Sequence, residues 1–271
     1  MKKNKYISEI NQLLDYTDKF CISNMNRIHK YSMKGDRDFA LEIDFAIESH
    51  IKEYIGKKFP NIPILGEETE WSVAQNRMPE LFWVIDPIDG TVNYSKKIPE
   101  FGTCIALIKE NKPYACGISF PLLNERYNGL KNRGAFLNGK KIKVSNNNLL
   151  THSIIGYGDF AVKNDFKLKN KFRIELLEDI ANCVQRVRMP GSAALQLAWL
   201  ASGRIDLSIT LSNCAWDVQA GILLVTEAGG EVFDYDGSEH NLNSRFTIAS
   251  NNSIIKNRII ELVRNKMSET E

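Results

Sequence analysis

Histidine is scarce in this chain, with four among 271 residues, and none stands beside an acidic cluster. That scarcity argues against a zinc or copper centre, which draws on imidazole and thiolate ligands. Cysteine does not fill the gap: the five lie scattered at 21, 104, 116, 183 and 214, and no CxxC occurs. An odd, dispersed set argues against a disulfide framework and a zinc knuckle, and a reducing, cytoplasmic setting is expected. No apolar run approaches the length needed to span a bilayer. The basic start, Met1-Lys2-Lys3-Asn4-Lys5, leads into no apolar core because Glu9 and Asp15 interrupt it, so no signal peptide is expected. Neither sign of charge dominates, the formal net charge being +2, so neither a nucleic-acid nor a membrane partner is expected. The basic stretch Lys140-Lys141-Ile142-Lys143 reads as a solvated loop or strand face. There is no internal repeat and no long linker.

What is present is ample core material, 43% hydrophobic residues, enough for one large domain or two closely packed lobes. Ile7, Ile10, Leu14 and Phe20 recur at helical spacing and predict an amphipathic helix over 6–30. A second helix is expected over 41–58, with Ile47, Ile51 and Ile55 on one stripe and Asp44 near its start. Residues 82–85 read as a buried strand, after which Pro87 and Gly90 turn the chain. Alternation over 103–110 and 113–120 around Asn111-Lys112 predicts a hairpin, and β character continues over 127–130 and 134–144 with a turn at Asn138-Gly139. Helices followed by mostly antiparallel strands make residues 1–145 an α+β lobe. Beyond a polar loop at 146–151 the pattern alternates. Strands are expected near 153–157, 186–189 and 205–210, with helices near 170–182 and over 193–201. A helix over 216–228 ends at Gly229-Gly230, followed by short strands at 231–233 and 246–249 and a last helix from Ile254. Residues 146–271 are therefore read as an α/β lobe packed with the first into one compact unit.

The most informative stretch is Phe82-Trp83-Val84-Ile85-Asp86-Pro87-Ile88-Asp89-Gly90-Thr91, where two carboxylates stand at the mouth of a buried strand. They repel each other and are costly to desolvate, and a bound cation is the cheapest way to hold both ionised. Three further acidic places join them: Asp44 on an early helix, Glu67-Glu68 after Leu65-Gly66, and Asp217 opening a mostly apolar helix. Each of these three alone has a bland reading, as a surface residue, a loop acid or a helix cap. Together they describe an oxygen-only site suited to Mg²⁺ or Mn²⁺ or Ca²⁺. Such a pocket becomes an anion site once it holds cations, and phosphate is its natural guest. Two or three ions could activate a water, neutralise a phosphoryl group and stabilise a leaving alkoxide. Thr91 could orient the water, with a carboxylate as its partner. Backbone donors for phosphate are offered by Gly90-Thr91 and by Gly191-Ser192-Ala193-Ala194, although a tight strand-to-helix turn explains the second segment as well.

With these residues in view, the chain resembles the inositol monophosphatase family, within the wider lithium-sensitive, magnesium-dependent phosphatase superfamily. The resemblance rests on Gly66-Glu67-Glu68, on Trp83-Val84-Ile85-Asp86-Pro87-Ile88-Asp89-Gly90-Thr91-Val92-Asn93-Tyr94, and on Trp216-Asp217-Val218-Gln219-Ala220-Gly221 with Glu227-Ala228-Gly229-Gly230. Asp38-Phe39-Ala40-Leu41-Glu42-Ile43-Asp44 stands in place of the family's Asp-Leu-Val-Thr-x-x-Asp, and Gly134-Ala135-Phe136-Leu137-Asn138-Gly139 is also family-like. The similarity spans roughly residues 6–265. It implies a layered αβαβα sandwich of the inositol monophosphatase and fructose-1,6-bisphosphatase type, a homodimer, and two to three Mg²⁺ per subunit, with Mn²⁺ an alternative. It implies that Glu67, Asp86 and the Ile88 carbonyl hold one metal, that Asp86, Asp89 and Asp217 hold a second, and that Glu67 with water holds a weaker third. Asp44 and Thr91 would activate the attacking water, and Glu68 would support the ligands from behind. Asp89, Gly90, Thr91, Gly191, Ser192, Ala193, Thr210 and Asp217 would line the phosphate and substrate.

Two departures bear on the substrate. Leu41 replaces the family's threonine, removing a hydroxyl near Asp44, and Thr210 stands where many inositol-specific members carry a glutamate seven residues before the metal-binding aspartate. Gly90-Thr91-Val92-Asn93-Tyr94 favours the inositol branch over the 3′-phosphoadenosine-5′-phosphate branch, which typically reads Gly-Thr-Lys-Glu/Asp-Phe. The expectation is a Mg²⁺-dependent phosphomonoesterase using metal-activated water on inositol monophosphate or a related sugar phosphate. 3′-Phosphoadenosine-5′-phosphate, fructose-1,6-bisphosphate and histidinol phosphate stand as alternative substrates. Haloacid-dehalogenase phosphatases also carry Asp-Gly-Thr, but their two aspartates are separated by one residue, and Gly158-Asp159 and Asp165 do not fit their later motif. A non-catalytic metal- or phosphate-binding regulatory protein is the rival from another class.

Overall fold

The computed structural model describes residues 4–27, 29–35, 37–71, 78–162, 166–211 and 214–268; Asp165, Ser212 and Asn213 lie outside them. Helix α1 (Lys5–Asn24) is capped by Asn4, whose side chain accepts from the Tyr6 amide. It is shorter than the helix expected over 6–30. The chain instead turns into a two-stranded antiparallel hairpin, β1 (Tyr31–Gly35) and β2 (Asp38–Leu41). Helix α2 (Glu42–Lys58) follows directly.

An eight-stranded sheet comes next. Its strands are β3 (Ile64–Gly66), β4 (Glu70–Trp71), β5 (Leu81–Asp89), β6 (Gly102–Lys109), β7 (Lys112–Phe120), β8 (Glu125–Leu130), β9 (Gly134–Leu137) and β10 (Lys140–Lys141). A short helix, α3 (Thr91–Ser95), leaves β5. The spatial order is β10-β9-β8-β7-β6-β5-β3-β4, antiparallel except where β3 runs alongside β5. Both hairpin turns use left-handed backbone: Glu110 and Asn111 between β6 and β7, one residue earlier than expected, and Asn138-Gly139 between β9 and β10.

The second half supplies β11 (Ile154–Tyr157), α4 (Phe166–Ala181), β12 (Arg186–Arg188), α5 (Ala193–Ala201), β13 (Leu207–Thr210), α6 (Ala215–Glu227), β14 (Glu231–Phe233), β15 (Thr247–Ser250) and α7 (Ser253–Ser268). Its five strands order as β12-β11-β13-β15-β14, with the first three parallel. No described helix is long and apolar enough to cross a membrane.

Strand alternation explains the layering. On β5 and β6, Trp83, Ile85, Ile105 and Leu107 face Ile10, Leu14, Ile47 and Ile51 of α1 and α2. Phe82, Val84, Cys104 and Ala106 point the other way, onto Leu195, Ala198, Val218 and Leu224 of α5 and α6. Ala249 of the five-stranded sheet closes that second core, while Ile155, Leu207, Ile209 and Ile248 pack outward on Leu176, Ile180, Ile255 and Ile259 of α4 and α7. The result is an αβαβα sandwich. The two large sheets are covered on both faces, which is why central strands such as β5, β6 and β13 are buried nearly throughout.

Candidate active site

Strand β5 does not stop at Ile85, as the proline first suggested. It pairs with β6 from Leu81↔Lys109 through Asp86↔Cys104, slips, and resumes at Asp89↔Gly102. Pro87 sits in that bulge, where it owes the ladder no N–H, and its carbonyl accepts the Thr103 hydroxyl at 2.9 Å. The bulge brings Asp86 and Asp89 to one end of a buried strand. Gly90 then takes φ +89° to start α3, and a side chain there would meet the Glu100 carbonyl at 2.9 Å.

Glu67 arrives on the turn between β3 and β4, with its amide donating to Ile85 O at 3.2 Å. That turn is held by Glu48, a fully buried carboxylate one helical turn beyond Asp44 on α2. Glu48 accepts from the amides of Glu68 (2.8 Å) and Thr69 (3.1 Å) and pairs with Lys52 at 3.0 Å. Gly66 makes room for it, since an added Cβ would lie 2.4 Å from the Glu48 carboxylate. Asp217 comes from the first turn of α6. Each of Glu67, Asp86 and Asp217 offers a carboxylate oxygen within 4.8 Å of the other two.

Asp44 occupies the first turn of α2, fully buried, with Oδ2 accepting the Leu41 amide at 2.6 Å and Oδ1 without a hydrogen-bond partner. Burial pushes its pKa up to about 8; the Leu41 N–H opposes the rise and the Glu68 and Glu67 charges add to it. Burial likewise drives Asp86 well above the carboxylate range, reinforced by Glu67, Asp89 and Asp217, and its Oδ1 is also buried and unpartnered. Asp89 rises to about 6, mainly by burial, while its partners from Ser192 to Ala194 hold it down. Its Oδ2 accepts from Ser192 Oγ at 2.6 Å and from the Ala194 amide at 2.7 Å, so the start of α5 is turned toward this carboxylate.

Gly90, Thr91 and Gly191 line, with Glu67, one cavity of about 440 Å³. Thr91 Oγ1 donates to the Ile88 carbonyl at 3.1 Å. Asn93 ties the two glycine segments together, its amide donating to Glu100 O (2.7 Å) and Pro190 O (2.8 Å). Ser192 is buried, its hydroxyl donating to Asp89 and accepting from the Leu195 amide, and the neighbouring Ala193 is held in the same cap. Thr210 ends β13 with its hydroxyl buried and unpartnered among the described residues, and it does not line the cavity. Glu68 stands behind Glu67 and pairs with Lys34, which reaches Glu67 at 2.9 Å and Glu68 at 2.7 Å from the β1–β2 hairpin. Burial pulls the Lys34 pKa down, yet Glu67 and Glu68 together carry it above the ordinary lysine value.

Sequence reasoning passed over Lys34 and Glu48, and it weighed Asp159 only as part of a haloacid-dehalogenase motif, not as a cavity residue. Only Glu48 left a signal, a charged residue on the apolar stripe of α2, four residues after Asp44. Three converging carboxylates, the buried oxygens Asp44 Oδ1, Glu68 Oε2 and Asp86 Oδ1 without donors, and an all-oxygen donor set fit a hard divalent cation.

Comparison with known proteins agrees with this geometry. Residues 14–268 match the model of the inositol monophosphatase family. The chain is 35% identical over 250 residues to an inositol monophosphatase of Dictyostelium discoideum, covering 90% of each. It is 33% identical to a fructose-1,6-bisphosphatase/inositol-1-monophosphatase of Thermotoga maritima, over 87% of this chain and 86% of the relative. The solved structure of a Thermotoga maritima IMPase superposes with a TM-score of 0.88 at 29% identity, covering 99% of this chain and all of the other. The chain belongs to the inositol monophosphatase family of metal-dependent phosphoric monoester hydrolases.

Proposed function

We propose that this phosphatase is Mg²⁺-dependent and hydrolyses a small phosphorylated metabolite, inositol monophosphate or a related sugar phosphate. The observation that carries the reading is the meeting of Glu67, Asp86 and Asp217 beside a cavity lined by Gly90, Thr91 and Gly191. Glu67, Asp86 and the Ile88 carbonyl would hold one ion, and Asp86, Asp89 and Asp217 a second. Glu67 with water would hold a third, and Mn²⁺ would substitute. When bound, such ions neutralise phosphoryl charge and lower the pKa of a water.

The chain's own groups supply the rest. Thr91 Oγ1 donates to Ile88 O and keeps lone pairs with which to hold a water. Asp44 Oδ1, without a donor of its own, is the proton acceptor paired with it, and the burial that raises its pKa makes its ionised form a stronger base than an exposed carboxylate. Asp89 is fixed by Ser192 and Ala194, which hold one of its oxygens in place. Gly90 and Gly191 leave space for a phosphate to approach backbone.

The reading also takes residues 1–145 and 146–271 as two lobes, because each sheet draws its strands from one of them. It takes the protein as a cytoplasmic homodimer, and five free thiols support the compartment. Catalytic efficiencies with and without Mg²⁺ on inositol-1-phosphate, fructose-1,6-bisphosphate, 3′-phosphoadenosine-5′-phosphate and histidinol phosphate test it. The expected result is Mg²⁺-dependent turnover, best on inositol-1-phosphate. The bisphosphate belongs in the panel because the Thermotoga relative carries both activities in its name. No Mg²⁺-dependent turnover of any of them would favour a non-catalytic regulatory role.

A further inference from the structure

Resting on the phosphatase reading above, we infer that Asp159 selects the organic part of the substrate by accepting hydrogen bonds from hydroxyls of a polyol phosphate, and that Arg173 positions it. Asp159 lines the same cavity as Glu67, Gly90, Thr91 and Gly191. Its side chain is accessible to solvent and feels the Arg173 charge without a hydrogen bond to the described residues, so its oxygens can accept from a ligand. The remaining lining mixes the apolar Phe39, Val92, Ile98 and Met189 with the acidic Asp38 and Glu100. Thr210, the position the sequence suggested for this task, keeps its hydroxyl buried and does not line the cavity.

The backbone that carries Asp159 is pinned far more firmly than an ordinary surface loop. Arg173 of α4 is 3% exposed and donates through one guanidinium nitrogen to Asp159 O at 2.6 Å and through the other to Leu211 O at 2.8 Å. Leu211 begins the segment that leads to α6 and Asp217, so one buried cation ties the cavity wall to the strand end before a candidate metal ligand. Asn170 grips Ala161 twice, its Oδ1 accepting the Ala161 amide (2.6 Å) and its Nδ2 donating to the Ala161 carbonyl (2.9 Å). The Gly158 amide donates to Ile209 O at 2.8 Å, and Tyr157 Oη donates to Arg173 O at 2.7 Å. Ordering a loop before ligand arrives removes that entropic cost from binding, which is what a residue that reads substrate hydroxyls requires.

Asp159→Asn and Asp159→Ala, each in the full-length Mg²⁺-loaded enzyme, test the inference with inositol-1-phosphate and p-nitrophenyl phosphate, which has no hydroxyl. The measure is the ratio of the two catalytic efficiencies. Losing one or two hydrogen bonds to a carboxylate lowers that ratio about 10- to 100-fold in Asp159→Ala, mainly through KM for the polyol phosphate. Arg173→Met lowers the same ratio, and Arg173→Lys recovers part of it; the Asp159 variants decide the matter even if Arg173→Met unfolds. An unchanged ratio, equal loss on both substrates, or preference of the wild type for the amine-bearing histidinol phosphate overturns the inference while leaving the phosphatase reading intact. Calorimetric titration of inositol-1-phosphate into Ca²⁺-loaded protein separates the two failures. A wild type that binds the polyol phosphate but never turns it over contradicts only the proposed activity, and one that does neither contradicts both.

Discussion

Asp89→Asn separates a metal ligand from a structural carboxylate, because the two roles predict opposite changes in stability. In the metal-free protein Asp89 is raised from 3.8 to about 6, chiefly by burial. At pH 8 its ionised form therefore costs the fold about 3 kcal/mol relative to its neutral form. Asparagine removes that cost. It keeps an oxygen to accept from Ser192 Oγ and the Ala194 amide, and the help those donors give the charge is already contained in the raised value. The metal-free variant should thus be more stable than wild type at pH 8 by up to about 3 kcal/mol, or roughly 6–12 °C in Tm at about 2–4 °C per kcal/mol. At pH 5 the unfolded carboxyl is still ionised, so about half of the advantage should remain, and it should vanish only as pH falls below 3.8. Mg²⁺ reverses the order: at about 1,000 times its Kd a ligand adds about 4.1 kcal/mol to the wild type, and the variant should gain little. Turnover should fall by at least about 100-fold, the upper range for loss of groups that merely orient metal ligands. Differential scanning fluorimetry at both pH values, with EDTA and with Mg²⁺, reads every part of this. A variant destabilised without metal and still stabilised by Mg²⁺ would make Asp89 a structural cap of α5 and refute the reasoning.

Three further outcomes follow from the same electrostatics. Asp44 and Asp89 have folded pKa values raised to about 8 and about 6, so each binds more protons folded than unfolded above pH 3.8. Their contribution is whole below the unfolded value and is lost as pH climbs through 6 and 8; the metal-free Tm should fall between pH 5 and pH 9 and Mg²⁺ should flatten the slope, whereas a rising metal-free Tm would contradict it. Glu48→Gln frees the turn that carries Glu67 and should weaken Mg²⁺ activation about 10- to 100-fold, read as a shifted Mg²⁺ titration with little change in kcat at saturation. Lithium should inhibit more strongly in substrate-saturated enzyme at low Mg²⁺ than at high Mg²⁺, reflecting competition at the second ion site; inhibition indifferent to Mg²⁺ would argue against that site.

Parts of this architecture could be read directly from the chain. Helix α5 was expected over 193–201 and spans those residues, because an apolar run with a serine before it and Ser202-Gly203 after it allows few alternatives. Asn138-Gly139 announced its hairpin because that pair adopts left-handed backbone cheaply. The β1–β2 hairpin was missed, since β1 is exposed at all five positions and carries no alternation to detect. β5 was cut short at Pro87 because the bulge that accommodates it depends on Thr103 and Gly102, which come later in the chain.

The acids of the candidate site were conspicuous for a different reason. Asp44, Asp86, Asp89 and Asp217 are charges set in apolar surroundings, which a sequence displays. What it does not display is who touches them. Lys34 reaches Glu67 across 33 residues, Ser192 reaches Asp89 across 103, and Arg173 holds Asp159 and Leu211 across 14 and 38. Such contacts are made by the sandwich as a whole. The substrate question moved for the same reason: Thr210 occupied the suspect position in the alignment, but the fold buries its hydroxyl and brings Asp159 to the cavity instead.

The central claim is that water, not a side chain, attacks phosphorus at the site built by Asp44, Glu67, Asp86, Asp89, Thr91 and Asp217. A single turnover of inositol-1-phosphate in oxygen-18 water with Mg²⁺, followed by mass spectrometry of phosphate and of the digested protein, tests it most directly. The account predicts one solvent oxygen in the released phosphate and none in the peptide carrying Asp86 and Asp89. Label in that peptide, or a trapped aspartyl-phosphate, would contradict it.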